Sequence, residues 1–141
     1  ITDCHPANHS SFAEFGGIWP SHCVEGTRGG AIHEAFYTDV VNPANRPDPA
    51  RNIFRKGCKQ DEEQYSGFES VNSNGVALKD YANKDVVISG IATEYCVKNT
   101  VEEFLNSGRN IELLLEGLGY VDYEGHKKTI KELEEVVTVV K

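Results

Sequence analysis

Between Asp85 and Lys141 short apolar runs alternate with amphipathic ones, and few folds accommodate that order. Asp85–Gly90 (DVVISG) is an apolar run that ends on glycine. Val97, Val101, Phe104 and Leu105 then recur at helical spacing, which predicts a helix near 94–107 with Gly108 as its stop. A second apolar run lies near 110–115, a second helix is expected near 124–134, and a third run (VVTVV) lies near 136–140. Strands that are apolar on both faces and alternate with helices belong in a parallel sheet covered by those helices. The expected class is α/β: a three-layer, Rossmann-like αβα arrangement around a central parallel sheet, as one domain over 1–141.

The earlier half is less regular. Residues 3–30 are rich in His, Gly, Pro and Ser and read as a long functional loop with one short helical turn. Residues 42–50 (NPANRPDPA) form a Pro-broken connector, Asn52–Arg55 is a short strand, and Ala77–Ala82 a short helix. In open parallel sheets functional residues collect beyond the C-terminal ends of strands. Cys96 follows one such end, Lys56 another, and Asp3 a third if Ile1-Thr2 closes a strand.

Composition narrows the function. A net charge of −8 disfavours nucleic acid and an anionic membrane surface as partners. No apolar run approaches the length of a membrane span, and no signal peptide is visible. The four cysteines form no CxxC pair and are expected reduced, in a cytoplasmic setting. The 141 residues contain no Met and open directly on a dense motif, so the sequence is expected to lack an N-terminal part.

Three constellations carry chemistry. In Asp3-Cys4-His5-Pro6 the carboxylate and imidazole sit at i and i+2, on one side of an extended segment. With His22 from Trp19-Pro20-Ser21-His22-Cys23 they make a ligand set for a divalent metal with open positions. His9 and Ser11 are neighbouring candidates, and Cys4 or Cys23 also suits zinc; loop histidines that cap turns remain the plain alternative. Lys56 at a strand end can stabilise an anion or lower a thiol pKa. Trp19 and Tyr65 are aromatics that either line a flat pocket or anchor their loops. Cys96 lies at the start of a helix that begins near Thr93, where N–H groups and the helix dipole favour a thiolate and can form an oxyanion hole. That placement suits acyl transfer on an amide or ester; a buried structural cysteine is the alternative.

Taken in order, D-x-H-P, G-G-x-W-P-x-H-C-V-x-G-T, K-G, Y-S-G-F and G-I-A-T-E-Y-C-V resemble the nicotinamidases (pyrazinamidases) of the isochorismatase-like cysteine hydrolase superfamily, nearly end to end. The resemblance implies a parallel six-stranded sheet between helices and hydrolysis of nicotinamide to nicotinate and ammonia, a step of NAD salvage. It implies Cys96 as nucleophile and Lys56 as part of the catalytic triad. Asp3, His5 and His22 would be metal ligands, with Ser11 contributing directly or through water. Trp19 and Tyr65 would contact the pyridine ring, and the N–H groups of Ala92 and Cys96 would hold the oxyanion. The metal would be zinc, with iron or manganese as alternatives, and Ile91–Ala92 would match a non-proline cis peptide. The sequence leaves open a homo-oligomer, another small amide or carbamoyl substrate, and an inactive metal- or pyridine-binding fragment.

Two departures from the family stand out. Cys4 takes the place of a frequent Trp between the metal Asp and His. The family's catalytic aspartate, carried on a strand upstream of D-x-H, has no counterpart in this sequence, nor has the pocket aromatic that follows it. The connector over 31–51 is longer than is usual in the shorter members of the family and receives no role.

Overall fold

A computed structural model describes residues 1–141. The chain divides into two units, Ile1–Gln64 with Glu69–Leu78, and Tyr65–Phe68 with Lys79–Lys141. Both are built on parallel strands, so the α/β class expected from the sequence holds.

In the first unit β1 (Thr2–Asp3) pairs in parallel with β2 (Arg55–Lys56), in register Thr2 with Arg55 and Asp3 with Lys56. The two lysine- and aspartate-bearing strand ends are therefore neighbours. The expected strand at Asn52–Arg55 is displaced to Arg55–Lys56. The N–H groups of Asn52 and Ile53 turn back onto the Asp48 carbonyl (2.9 and 3.1 Å), so pairing begins only beyond them, while Ile53 and Phe54 supply apolar burial. Residues 3–30 lack long elements, as expected, but contain two short 3-10 turns, Ala13–Phe15 and Arg28–Gly30, where one was anticipated. Between the strands, α1 (Ala35–Thr38) is one turn long.

Across the boundary in sequence, α2 (Leu78–Tyr81) leads to the second unit. There β3 (Asp85–Gly90), β4 (Asn110–Leu118) and β5 (Thr138–Val140) form a three-stranded parallel sheet in that order. α3 (Lys98–Asn106) and α4 (Tyr123–Leu133) are the two crossovers. α3 buries Val101 and Phe104 and packs on β4, which buries Ile111 and Leu113; burying each such side chain is worth roughly 1.5–3 kcal/mol. Asp122 caps α4 by accepting from the Gly125 N–H at 2.6 Å. Gly108, at φ 82°, ends the α3 segment as the sequence indicates. No helix is long and apolar enough to cross a membrane.

Candidate active site

The first unit assembles the metal-ligand candidates. Beyond β1 the chain stays beside β2, because the Cys4 N–H donates to the Lys56 carbonyl at 3.0 Å. The return segment then pairs with it: the His5 N–H donates to Cys23 O (3.2 Å) and the Glu25 N–H to His5 O (2.9 Å). This bridge between His5 and Val24 carries His22 back, so that its ring centroid lies 4.9 Å from that of His5. One ligand atom each from Asp3, His5 and His22 lies within 4.8 Å of the others, close enough to converge on a single cation.

Hydrogen bonds fix which atoms face that point. His5 Nδ1 lies 2.8 Å from Gly57 O, and His22 Nδ1 lies 2.7 Å from Pro20 O. A carbonyl only accepts, so in each neutral ring Nδ1 carries the proton and Nε2 holds a lone pair. Such an arrangement orients metal-binding imidazoles. Burial pushes the His5 pKa down, against the opposing pull of the Gly57 carbonyl, and so keeps the ring neutral. Asp3 Oδ1 accepts from Lys56 Nζ, while Oδ2 lies 3.9 Å from His5 Nε2. Lys56 is buried and also donates to Gln64 O at 2.9 Å. The donor set fits a divalent metal such as zinc, with one carboxylate oxygen and two imidazole nitrogens directed to one place.

His9 is fully buried and differs from the other two histidines. Its Nδ1 accepts from the Ser11 hydroxyl (2.7 Å) and the Ser11 N–H (3.2 Å), so Nε2 donates to Glu62 O (3.1 Å). Both ring nitrogens are thus engaged within the loop, and Ser11 is held by His9. Trp19 is half-buried, with its ring centroid 6.4 Å from that of His22.

The second unit places Cys96. The peptide bond Ile91–Ala92 is cis, as the resemblance implies. The helix start at Thr93 is present but wound as a π-type turn, Thr93–Val97, before α3 begins. The Tyr95 and Val97 N–H groups both donate to Ala92 O at 3.1 Å. Thr93 donates through its N–H (2.8 Å) and hydroxyl (2.9 Å) to Gly119 O, and Glu94 Oε1 accepts from the N–H groups of Val121 and Asp122. The loop beyond β4 thereby locks the turn. Cys96 is half-buried and forms no disulfide. Its carbonyl accepts from the Thr100 hydroxyl (2.6 Å), and Thr100 Oγ1 in turn accepts from the Gly67 N–H (2.9 Å). The Tyr65 ring lies 5.6 Å from that of Tyr95, beside Cys96 in sequence.

Gln64 and Thr100 carry no recognisable signal in the sequence. Gln64 accepts both the Lys56 ammonium and, through Oε1, the Gly57 N–H (3.0 Å). Each acts by a bond to a residue remote in sequence or by its backbone, which no local pattern reveals.

The fold is shared with an isochorismatase-like hydrolase from Alkaliphilus metalliredigens, which matches with a TM-score of 0.68 at 24% identity, covering 99% of this chain and 65% of that one. A closer relationship is specific. The nicotinamidase/pyrazinamidase of Mycobacterium tuberculosis is 30% identical over 138 residues, which is 94% of this chain and 67% of that protein. The pyrazinamidase of Pyrococcus horikoshii, solved in complex with zinc, matches with a TM-score of 0.78 at 33% identity over 99% of this chain and 72% of that one. The chain belongs to the nicotinamidase/pyrazinamidase family. No family model matches it. Across five curated relatives it spans 51–67% of their length.

Proposed function

We propose that the protein hydrolyses nicotinamide, and pyrazinamide likewise, to the corresponding acid and ammonia through a thioester on Cys96. The observation that carries the reading is the triad Asp3, His5 and His22, whose metal-facing atoms are already oriented by their hydrogen bonds. A zinc ion held by these three, with iron or manganese as alternatives, would supply a Lewis acid for the nitrogen of a pyridine or pyrazine ring. Trp19 and Tyr65 present flat faces for that ring, and orienting it sets the carboxamide for attack.

Cys96 supplies the nucleophile: its sulfur bonds the carboxamide carbon, the C–N bond breaks, ammonia leaves, and water then cleaves the thioester. The N–H groups of Ala92 and Cys96, at the opening of the turn, hold the oxyanion. Lys56, buried and charged, holds Asp3 in place and lends positive potential to the reaction. The thiol proton passes to the leaving nitrogen, which departs as ammonia.

The test is direct. Zinc-loaded protein is incubated with nicotinamide, and nicotinate and ammonia are quantified. Native protein is expected to form both in equal amounts, with formation reduced at least a thousandfold in Cys96→Ala. Undiminished turnover by Cys96→Ala would overturn the thioester route, and no product from the zinc-loaded native protein would overturn the substrate.

A further inference from the structure

Two of the three ligand candidates are oriented by neighbours that share a support of their own. Asp3 is held through Oδ1 by the Lys56 ammonium, and His5 by the Gly57 carbonyl, 2.8 Å from its Nδ1. Lys56 and Gly57 are consecutive, and Gln64 bonds to both. Lys56 Nζ donates to the Gln64 carbonyl at 2.9 Å, and the Gly57 N–H donates to Gln64 Oε1 at 3.0 Å. A backbone N–H only donates, so the Gln64 amide turns its oxygen, not its nitrogen, to Gly57. His22 stands apart, its Nδ1 bound to Pro20 O within its own loop.

The Gln64 bonds close residues 57–64 into a loop that is fastened at its middle as well. His9 Nε2 donates to Glu62 O at 3.1 Å, and the Ser10 N–H to Gln60 O at 2.8 Å. What is left for the Gln64 side chain is the return of the loop to the end of β2. Gly57 needs such a fixture. It sits at φ +62°, and glycine has the widest choice of backbone angles, so a bond to its N–H narrows where its carbonyl points. Gln64, Lys56, Gly57 and Glu62 also line a cavity of about 300 Å³. Water there can satisfy the Gly57 N–H once the amide is removed, but it does not fix a direction. Loss of the amide therefore falls on the position of His5 more than on stability.

We propose that Gln64 is a positioning residue for the metal site. Its side-chain oxygen fixes Gly57 and through it His5. Its carbonyl, placed by that same bond, holds Lys56 and through it Asp3. The consequence for metal rests on the metal reading of Asp3, His5 and His22; the fixing of the His5 ring does not. The role requires an acceptor at one reach. Glutamate has the length of glutamine and keeps an oxygen for the Gly57 N–H. Leucine offers no acceptor, and asparagine is one methylene too short.

Zinc affinity of the full chain is measured by chelator competition in the native protein, Gln64→Leu, Gln64→Asn and Gln64→Glu, with urea unfolding of each metal-free protein as the check on folding. Gln64→Leu and Gln64→Asn should bind zinc about tenfold more weakly. Gln64→Glu should stay within about threefold of native, since its carboxylate accepts the same N–H. The His5 tautomer, read by nitrogen-15 NMR without metal, should be Nδ1–H in native and Gln64→Glu protein and mixed in the other two. Native affinity in Gln64→Leu and Gln64→Asn, an equal fall in Gln64→Glu, or a tautomer unchanged throughout would overturn the role. If Gln64→Leu does not fold, Gln64→Asn against Gln64→Glu makes the same comparison. Failure of the native protein to bind zinc would instead overturn the metal reading, and the tautomers would still decide whether Gln64 positions His5.

Discussion

Gly57→Ala isolates what holds His5. Gly57 sits at φ +62°, and an alanine forced into that left-handed conformation costs about 1–2 kcal/mol. Its new Cβ would also meet His5 at 2.6 Å from Cε1 and 2.9 Å from Nδ1. The ring cannot retreat: it is 2% exposed, and His9, Phe12 and His22 stand at centroid distances of 4.2, 5.6 and 4.9 Å. Overpacking of this kind adds about 1–3 kcal/mol, so the variant should lose about 2–5 kcal/mol in all. Gly75→Ala is the control. Gly75 has nearly the same backbone, φ +75°, but nothing lies within 4 Å of its Cβ, so only the backbone cost of about 1–2 kcal/mol remains. Urea unfolding of both variants gives the difference, and zinc competition gives its consequence. Gly57→Ala should bind zinc at least about tenfold more weakly, because His5 has been pushed off the Gly57 carbonyl; Gly75→Ala should bind as the native protein does. Equal destabilisation of the two, with zinc affinity intact in Gly57→Ala, would refute the claim that this contact positions His5.

Three further expectations follow from particular contacts. His22→Ala should weaken zinc binding on the order of a hundredfold while leaving stability within about 0.5 kcal/mol, since the ring is only half-buried; unchanged zinc affinity would remove His22 from the ligand set. Thr100→Val leaves the Gly67 N–H without its acceptor and should cost about 1–3 kcal/mol in urea unfolding, with Thr100→Ser keeping most of the stability; equal losses in the two would mean that the methyl group, not the hydroxyl, matters. Lys98 Nζ donates to Glu132 at 2.8 Å, linking α3 to α4, and this bond holds the Glu132 pKa below 4.5 in the folded state. The unfolded chain therefore binds the proton first, so this stabilisation is present above about pH 4.5 and is lost as pH falls through the lower folded value. Glu132→Gln should flatten that part of the stability–pH curve, and an unchanged acid slope would show that the pair contributes nothing there.

The βαβαβ half was legible because its signal is local and repeated. Val97, Val101 and Phe104 mark one helix face whatever surrounds them, and Gly108 ends it. Boundaries moved where backbone pairing rather than side-chain pattern decides. β4 runs on to Leu118, past the apolar run, because Gly90 pairs with Leu118 across a shift in register after Ile88. The strand expected from Asn52 begins at Arg55, because the Asp48 turn captures the preceding N–H groups. The metal-ligand candidates were legible for another reason. Asp3 and His5 are two residues apart on an extended segment, so their shared side follows from the backbone alone. Their distance to His22 did not follow, since it depends on the pairing of His5 with Val24 across a loop without periodicity. Gln64 and Thr100 carried no signal, as each matters only for the partner that the fold brings to it.

The three candidate ligands share a principle of construction that explains why so many polar groups are buried in one small region. Each ligand side chain offers two polar atoms, and in each case one is bound by the protein while the other faces the common point. Asp3 commits Oδ1 to Lys56, His5 commits Nδ1 to Gly57, and His22 commits Nδ1 to Pro20. Lys56 is the costliest member, being a buried cation, and it is stabilised by Asp3 together with the Gln64 carbonyl. A lysine so held also leaves Asp3 Oδ2 unoccupied by the ammonium. Replacing Lys56 by methionine, similar in length but uncharged, should therefore separate two effects that an alanine would mix. The fold should survive, because an apolar chain fills the buried channel, whereas Asp3 loses its anchor and zinc affinity should fall about tenfold or more. Zinc affinity equal to native in Lys56→Met, with stability retained, would show that Asp3 is oriented by the metal rather than by the lysine.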